Sequence, residues 1–353
     1  MKKIIALFFG LSLAIFATAQ PANYYNSANG LTGDQLKVAL HNIIKGHTSI
    51  SYAQLWNAFW STDNKGNGIV WDMYSDNPNG TPPYIYHLGD DQCGNYSGEG
   101  DCYNREHSWP SSWFNDQNTP RTDLHHIFPT DGYVNNRRGN YAFGEVHSAS
   151  WTSRNGSKLG TCKTPGFTGT VFEPIDEYKG DFARAIMYMS VRYYSEDSGW
   201  GSSDMTTKSE IKPWAIDLLL RWNELDPVSE KEKERNEAIY NDYQHNRNPF
   251  VDHPEYARMI WDPSWNAVEE VQEAVYLFPN PLEAGQTLHV SGNCNSFDAI
   301  AICDLCGHTL LKASGHAVGD FAVTLPNGFA KGCYIVKLMR NGSVVKYEKL
   351  LVK

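Results

Sequence analysis

Between Asn104 and Glu145 the chain collects the residue types that handle phosphate esters. It reads Asn104-Arg105-Glu106-His107-Ser108-Trp109-Pro110, then Arg121-Thr122-Asp123-Leu124-His125-His126-Ile127-Phe128-Pro129, then Gly132-Tyr133-Val134-Asn135-Asn136-Arg137-Arg138. Hydrolysing a phosphodiester requires a base to deprotonate water, and histidine titrates in the useful range. It requires a hard cation to neutralise phosphate charge, and magnesium takes oxygen ligands, often only one or two from protein. A guanidinium nearby holds phosphate oxygens with a fork of donors. His107 can serve as the base, Glu106 and Asn135 as oxygen ligands, and Arg121, Arg137 and Arg138 as the forks. If Glu106 and His107 lie on a strand, their side chains leave it on opposite faces. Asn135 follows Gly132 at the start of an expected helix. Taken singly, these features are ordinary. A Glu-His dipeptide is most often a surface pair, and paired arginines on a helix are usually solvated. Adjacent histidines are more often one core and one surface residue than a metal site. The ordered set carries the reading.

The elements that must position these residues follow from periodicity and breakers. Thr32 followed by Gln35 is a candidate capping box, and Leu36, Ala39, Leu40, Ile43 and Ile44 recur at helical spacing behind it. From about Trp60 to Asn104, Gly, Asn, Asp and Pro predict loops and short strands. Phe182, Ile186, Met189 and Tyr193 mark a second helix with Asp181 as its expected cap. Pro213 opens a third through Trp222, and Ser229 caps a charged fourth through Ile239 and Tyr240. The fold class is α+β, mainly helical. After about residue 275 the pattern changes to short β-rich runs: Thr287 to Val290, Ala299 to Ile302, Phe321 to Leu325, Tyr334 to Leu338 and Val344 to Val352. Asn341-Gly342 is a hairpin signal, and the whole predicts a small β-sandwich. The expected boundaries are 20–270 for the first domain, 271–276 for a linker and 277–353 for the second.

The N-terminus reads as a signal peptide over 1–19: Lys2 and Lys3, an apolar run from Ile4 to Phe16, then Ala17-Thr18-Ala19. The run is too short to span a bilayer, and no later stretch is apolar enough. Export makes disulfides possible. Seven cysteines leave at least one thiol without an intrachain partner, and Cys93 with Cys102, flanking a Gly-rich loop, is the preferred bridge. Cys303 and Cys306 have zinc-like spacing but no second pair, so buried or bridged cysteines are the expectation. At 41% hydrophobic and 20% charged the chain is not disordered. Its formal net charge of −10 is awkward for contact with nucleic acid. Yet Arg105 to Arg138 holds four arginines against four acids, so a cation and nearby histidines would make that segment locally positive.

The Arg-Glu-His, Asp-Leu-His-His and Val-Asn block resembles the bacterial endonuclease I family, exported nucleases of the His-Me finger (ββα-metal) class. The likeness extends over about residues 22 to 262. It takes in Tyr24-Tyr25 through Gly33, Val171-Phe172-Glu173-Pro174, Lys179-Gly180-Asp181, and Gln244-His245-Asn246-Arg247-Asn248-Pro249-Phe250-Val251. The resemblance implies a metal-dependent endonuclease of low sequence preference, acting on DNA, with RNA as the further candidate substrate, and leaving 5′-phosphates. It implies His107 as general base, and Glu106 and Asn135 as ligands of one magnesium, with manganese or calcium as substitutes. Arg121 is the candidate for the arginine on the cut phosphate, Arg137 and Arg138 are candidate substrate contacts, and Asp123 and His125 are expected to orient the finger. No base-reading motif is present, and phosphate contacts alone carry no sequence information.

The tail resembles the C-terminal sorting domains of type IX secretion cargo. The matching features are Phe278-Pro279-Asn280-Pro281, Asp304 with Gly307, Gly332 with Tyr334-Ile335-Val336, and a basic ending at Lys353. That implies a secreted or cell-surface protein, handled by the type IX machinery and otherwise expected to be monomeric. The alternative function is a glycan-degrading or glycan-binding surface protein, suggested by the Trp and Tyr content. It would need paired carboxylates, such as Glu106 with Glu145.

Overall fold

The computed structural model describes residues 20–262, 276–291, 297–305, 307–314, 321–340 and 343–353. The expected signal peptide, most of the expected linker, Cys294, Cys306 and the Asn341-Gly342 turn lie outside the described residues. Two units divide the chain, 1–265 and 266–353.

In the first unit, α1 (Gly33–Ile44) buries Leu36, Leu40 and Ile44, as the spacing predicts. Thr32 occupies the cap position but its side chain makes no cap hydrogen bond, so the expected capping box does not form. Helix α2 (Leu55–Thr62) turns Leu55, Ala58 and Phe59 into a small core with Val70, Tyr86 and Tyr103. Strand β1 (Tyr103–His107) follows the loop-rich stretch; a disulfide joins Cys93 to Cys102 at its threshold. After the single turn α3 (Asn118–Arg121), strand β2 (Ile127–Asp131) returns antiparallel to β1 and runs directly into α4 (Gly132–Arg138). Strands β3 (Ala142–Phe143), β4 (Val146–Thr152), β5 (Lys158–Cys162) and β6 (Thr170–Glu173) form a sheet in the order β3-β6-β5-β4.

Helix α5 (Lys179–Arg192) is buried along its whole length. A helix covered all round is a core element rather than an amphipathic surface one. Its cap falls on Tyr178, because a 3-10 turn at Asp176–Tyr178 leads straight into it. Asp181, the expected cap, therefore lies inside the first turn. A short hairpin, β7 (Thr206–Thr207) and β8 (Glu210–Ile211), precedes α6 (Pro213–Leu225), which begins on Pro213. Helix α7 (Glu230–Ala238) starts with a reciprocal capping box between Ser229 and Glu232 and continues as a π-helix over Ile239–Gln244. The short α8 (Pro249–Asp252) and α9 (Tyr256–Trp261) close the unit.

The second unit is all β: β9 (Tyr276–Phe278), β10 (Thr287–Ser291), β11 (Ala299–Cys303), β12 (Thr309–Ser314), β13 (Phe321–Thr324), β14 (Gly332–Arg340) and β15 (Ser343–Val352). Two antiparallel sheets, β13-β10-β9 and β12-β11-β14-β15, share one core of Leu288, Val290, Ile300, Ile302, Val336, Leu338 and Leu350. The sequence pattern misses β9 and β12. Strand β9 is three residues beside prolines, and β12 alternates half-buried with exposed positions, so neither carries a strong apolar signal.

Candidate active site

The site is built on the β1–β2 hairpin and the helix that follows it. Asp131 ends β2 and caps α4, its Oδ1 accepting from the Val134 amide at 2.8 Å. Its Oδ2 accepts from the Tyr86 hydroxyl at 2.6 Å and the Gly100 amide at 2.8 Å, tying the cap to the loop before β1. Gly132 opens the helix at a point where a β-carbon would come within 2.7 Å of the Tyr96 ring. Only glycine lets the backbone approach so closely there.

Along β1, alternate side chains take opposite sides. Asn104 and Glu106 face α4. The Asn135 amide donates to Asn104 Oδ1 at 2.7 Å, and Arg138 Nη1 lies 3.2 Å from Glu106 Oε1. Asn135 and Arg138 are three residues apart and share one helix face. Glu106 Oε1 also accepts from the Tyr74 hydroxyl at 2.9 Å. Glu106 is buried, and burial pushes its pKa up to about 7, with Arg138 and Tyr74 offsetting only part of that cost. Both of its polar contacts fall on Oε1. The other oxygen is left for a further partner.

Arg105 and His107 face the other side, toward Tyr52. The half-buried His107 ring stacks nearly parallel to Tyr52, 6.2 Å between centroids. Its Nε2 lies 3.1 Å from the Arg121 carbonyl, which therefore accepts an Nε2–H and leaves Nδ1 with the free lone pair. Burial first, then His126 and the arginine cations, push the His107 pKa down to about 3. Arg121 projects its guanidinium to 4.5 Å from the Tyr52 ring, beside Arg105 at 3.6 Å.

Behind this lies a buried polar network. Asp123 accepts from the Tyr188 and Tyr193 hydroxyls at 2.9 and 3.0 Å, from Gln244 Nε2 at 2.9 Å and from the His125 amide at 3.1 Å. Burial alone would raise its pKa; the surrounding histidines and Gln244 outweigh that and hold it well down. Burial also pushes His125 and His126 down to about 4, so both are uncharged near neutrality. There the hydrogen bonds hold the carboxylate. His125 Nε2 meets the Asn246 carbonyl and His126 Nε2 the Pro120 carbonyl. The Gln244-to-Asn246 segment thus braces the turn that leads into β2.

The two other arginines separate. Arg137 is exposed, bonded to the Tyr133 hydroxyl at 2.8 Å and 5.7 Å from the Trp151 ring. Arg138, expected to contact substrate, is buried instead. It donates to the His107 carbonyl at 2.8 Å and the Ser108 carbonyl at 2.5 Å, while its Nε has no partner among the described residues. A buried guanidinium engaged with Glu106 and the end of β1 braces α4 against the hairpin and is not open to a phosphate. Glu106 and Glu145 have separate partners: Glu145 pairs with Arg221 at 2.9 Å. The paired-carboxylate alternative therefore gains no support.

Sequence reasoning left Tyr52, Tyr74 and Asp131 without roles. Asp131 before Gly132 was a readable cap signal. Tyr52 and Tyr74 come from distant loops and leave no local trace. A cavity of about 450 Å³ lined by Trp71, Asp76, Tyr178 and Lys231 includes none of His107, Glu106 and Asn135.

An extracellular ribonuclease of Bacillus amyloliquefaciens is 42% identical over 262 residues, covering 71% of this chain and 82% of that protein. An extracellular ribonuclease of Bacillus subtilis (strain 168) is 39% identical over 272 residues, 71% and 84% of the two chains. Endonuclease-1 of Buchnera aphidicola subsp. Acyrthosiphon pisum (strain APS) is 27% identical over 131 residues, 37% of this chain and 44% of that one. The family model for endonuclease I matches residues 32–255, which contain every residue of the site, and the chain belongs to the endonuclease I family.

Proposed function

We propose that this nuclease is an exported, divalent-cation-dependent endonuclease of low sequence preference that cuts DNA and RNA, leaving 5′-phosphates. The observation that supports the reading is that Asn104 and Glu106 of β1 contact Asn135 and Arg138 of α4 respectively, with His107 next in the chain. The donors on that side are oxygens: the second Glu106 oxygen and the Asn135 carbonyl. Such a set suits magnesium, or manganese or calcium in its place, rather than a softer metal. Among the described residues no group of three His, Cys, Asp or Glu could hold a metal. A bound magnesium would neutralise charge on the scissile phosphate and the leaving 3′-oxygen.

The chain's own residues do the rest. His107, kept uncharged, offers Nδ1 to the proton of the attacking water. Arrival of a phosphate beside Arg105 and Arg121 offsets their charge and raises the ring's proton affinity. Arg121 and Arg105 hold the phosphate, Asp123 and His125 fix the turn into β2, and Arg137 meets the strand farther out. Phosphate contacts of this kind carry no sequence information, and binding through them should weaken with salt.

The named activity of the two Bacillus relatives supports export and RNA as a substrate. The signal-peptide pattern over 1–19 supports the same route. The all-β second unit fits the type IX sorting role suggested by its Phe278-Pro279-Asn280-Pro281 and Gly332-to-Val336 features. The active enzyme is proposed to be a monomer. The test is plasmid nicking by the mature protein with magnesium and with excess EDTA, followed by analysis of the product ends. Cleavage only with magnesium, leaving 5′-phosphates, is expected; full activity in EDTA would defeat the proposal.

A further inference from the structure

Tyr52, Trp56 and Trp60 recur every four residues, just before and along α2; Tyr52 and Trp56 pack half-buried against the core of Leu55, Ala58 and Phe59, and Trp60 opens to solvent. Residues at this spacing line one side of a helix. The row begins at the catalytic base, since the Tyr52 ring stacks on His107. Cations are interleaved with it: the Arg105 guanidinium sits 3.6 Å from the Tyr52 centroid and 4.4 Å from that of Trp56, and Arg121 sits 4.5 Å from Tyr52. At its far end Trp60 is 49% exposed. Trp60 lies beside two glycines, and a β-carbon at Gly89 would press to 3.3 Å from the indole. A single exposed tryptophan is ordinary on a protein surface. This one continues a row of rings and guanidinium groups that starts at the base.

We infer that the Tyr52–Trp56–Trp60 row is the binding track for single-stranded nucleic acid, with Trp60 the platform on which an unpaired base stacks. The inference rests on the nuclease reading and adds a substrate class to it. Phosphates of the strand meet Arg105 and Arg121, and a base beyond the cut meets the open indole. Alternating positive charge and aromatic faces is how proteins hold unpaired strands without reading their sequence. In a duplex, base faces are covered by their neighbours and only the backbone reaches such a surface. The track therefore favours unpaired DNA or RNA over duplex.

The experiment compares wild type, Trp60→Ala and Trp60→Phe at saturating magnesium on a labelled single-stranded oligonucleotide and on its duplex. The same oligonucleotide is titrated onto His107→Ala and His107→Ala/Trp60→Ala proteins to read binding without cleavage. Trp60→Ala should raise KM and Kd for the single strand by about 5- to 150-fold, the range for one stacked base. It should leave kcat within about 2-fold and affect the duplex far less, while Trp60→Phe retains most of the affinity. Equal losses on both substrates, or no loss on the single strand while wild type cuts it, would overturn the inference. If wild type cuts neither substrate, the nuclease reading fails first and the track with it.

Discussion

At the scale of single residues, identity was easier to read than role. His107, Glu106 and Asn135 stand out because their types suit the chemistry, and the fold gathers them around one hairpin. Arg137 and Arg138 look interchangeable as letters, yet one is solvated and the other is 1% exposed beneath the strand. Helical phase against β1 separates them, and phase cannot be read without knowing which face β1 covers. Arg138→Ala should cost about 3–5 kcal/mol of stability, because it leaves Glu106 buried without its cation. Arg137→Ala should leave unfolding within about 0.5 kcal/mol of wild type. Urea denaturation of both variants checks this, and equal stabilities would contradict the buried brace. His126 offers a pH test. Its folded pKa is depressed to about 4, so its contribution is complete above the unfolded value near 6.5. It is lost as pH falls toward 4, since the unfolded chain takes up the proton first. Relative to wild type, His126→Gln should therefore gain up to about 3 kcal/mol between pH 7.5 and 4. A stability difference that does not change with pH would show that the ring is not held neutral.

At the scale of elements, the long helices were legible through their apolar spacing, and α6 and α7 also through their start signals. Leu36, Leu40 and Ile44, Pro213 at the start of α6, and the Ser229 cap of α7 all sit where the pattern put them. Asp181 did not cap α5, because a preceding 3-10 turn moves the helix start earlier, and such turns carry no strong signal. The short β1 and β2 are legible mainly through the chemistry they carry. Their relation to α4 rests on Asp131, whose carboxylate serves the helix cap, Tyr86 and Gly100 together. Asp131→Ala should destabilise the first unit by at least the ~1 kcal/mol of a lost cap. By loosening the turn that carries Asn135, it should also raise the magnesium concentration for half-maximal cleavage. Thermal melts and a magnesium titration read the two effects. A variant with wild-type metal demand and stability would remove Asp131 from the account.

At the scale of the whole molecule, the change of character near residue 275 was plain in composition. The division of the chain into 1–265 and 266–353 falls close to it. The tail's strands were mostly visible as β-rich runs, while the edge strands β9 and β12 were not, since edges tolerate weak patterns. A chain ending between Asn266 and Gln272 should fold and cut DNA at a rate within about 2-fold of the longer mature protein, since each unit has its own core. A soluble, folded but inactive truncation would show that the tail completes the enzyme. The central claim divides labour between neighbours: Glu106 holds the cation and His107 moves the proton. Its most direct test is a magnesium titration of DNA cleavage by wild type, His107→Ala and Glu106→Ala. His107→Ala should keep the wild-type magnesium midpoint and lose about 10²- to 10⁴-fold in maximal rate. Glu106→Ala should shift the midpoint upward and recover part of its rate at high magnesium. If added magnesium restored His107→Ala as fully as Glu106→Ala, the division of labour would be wrong.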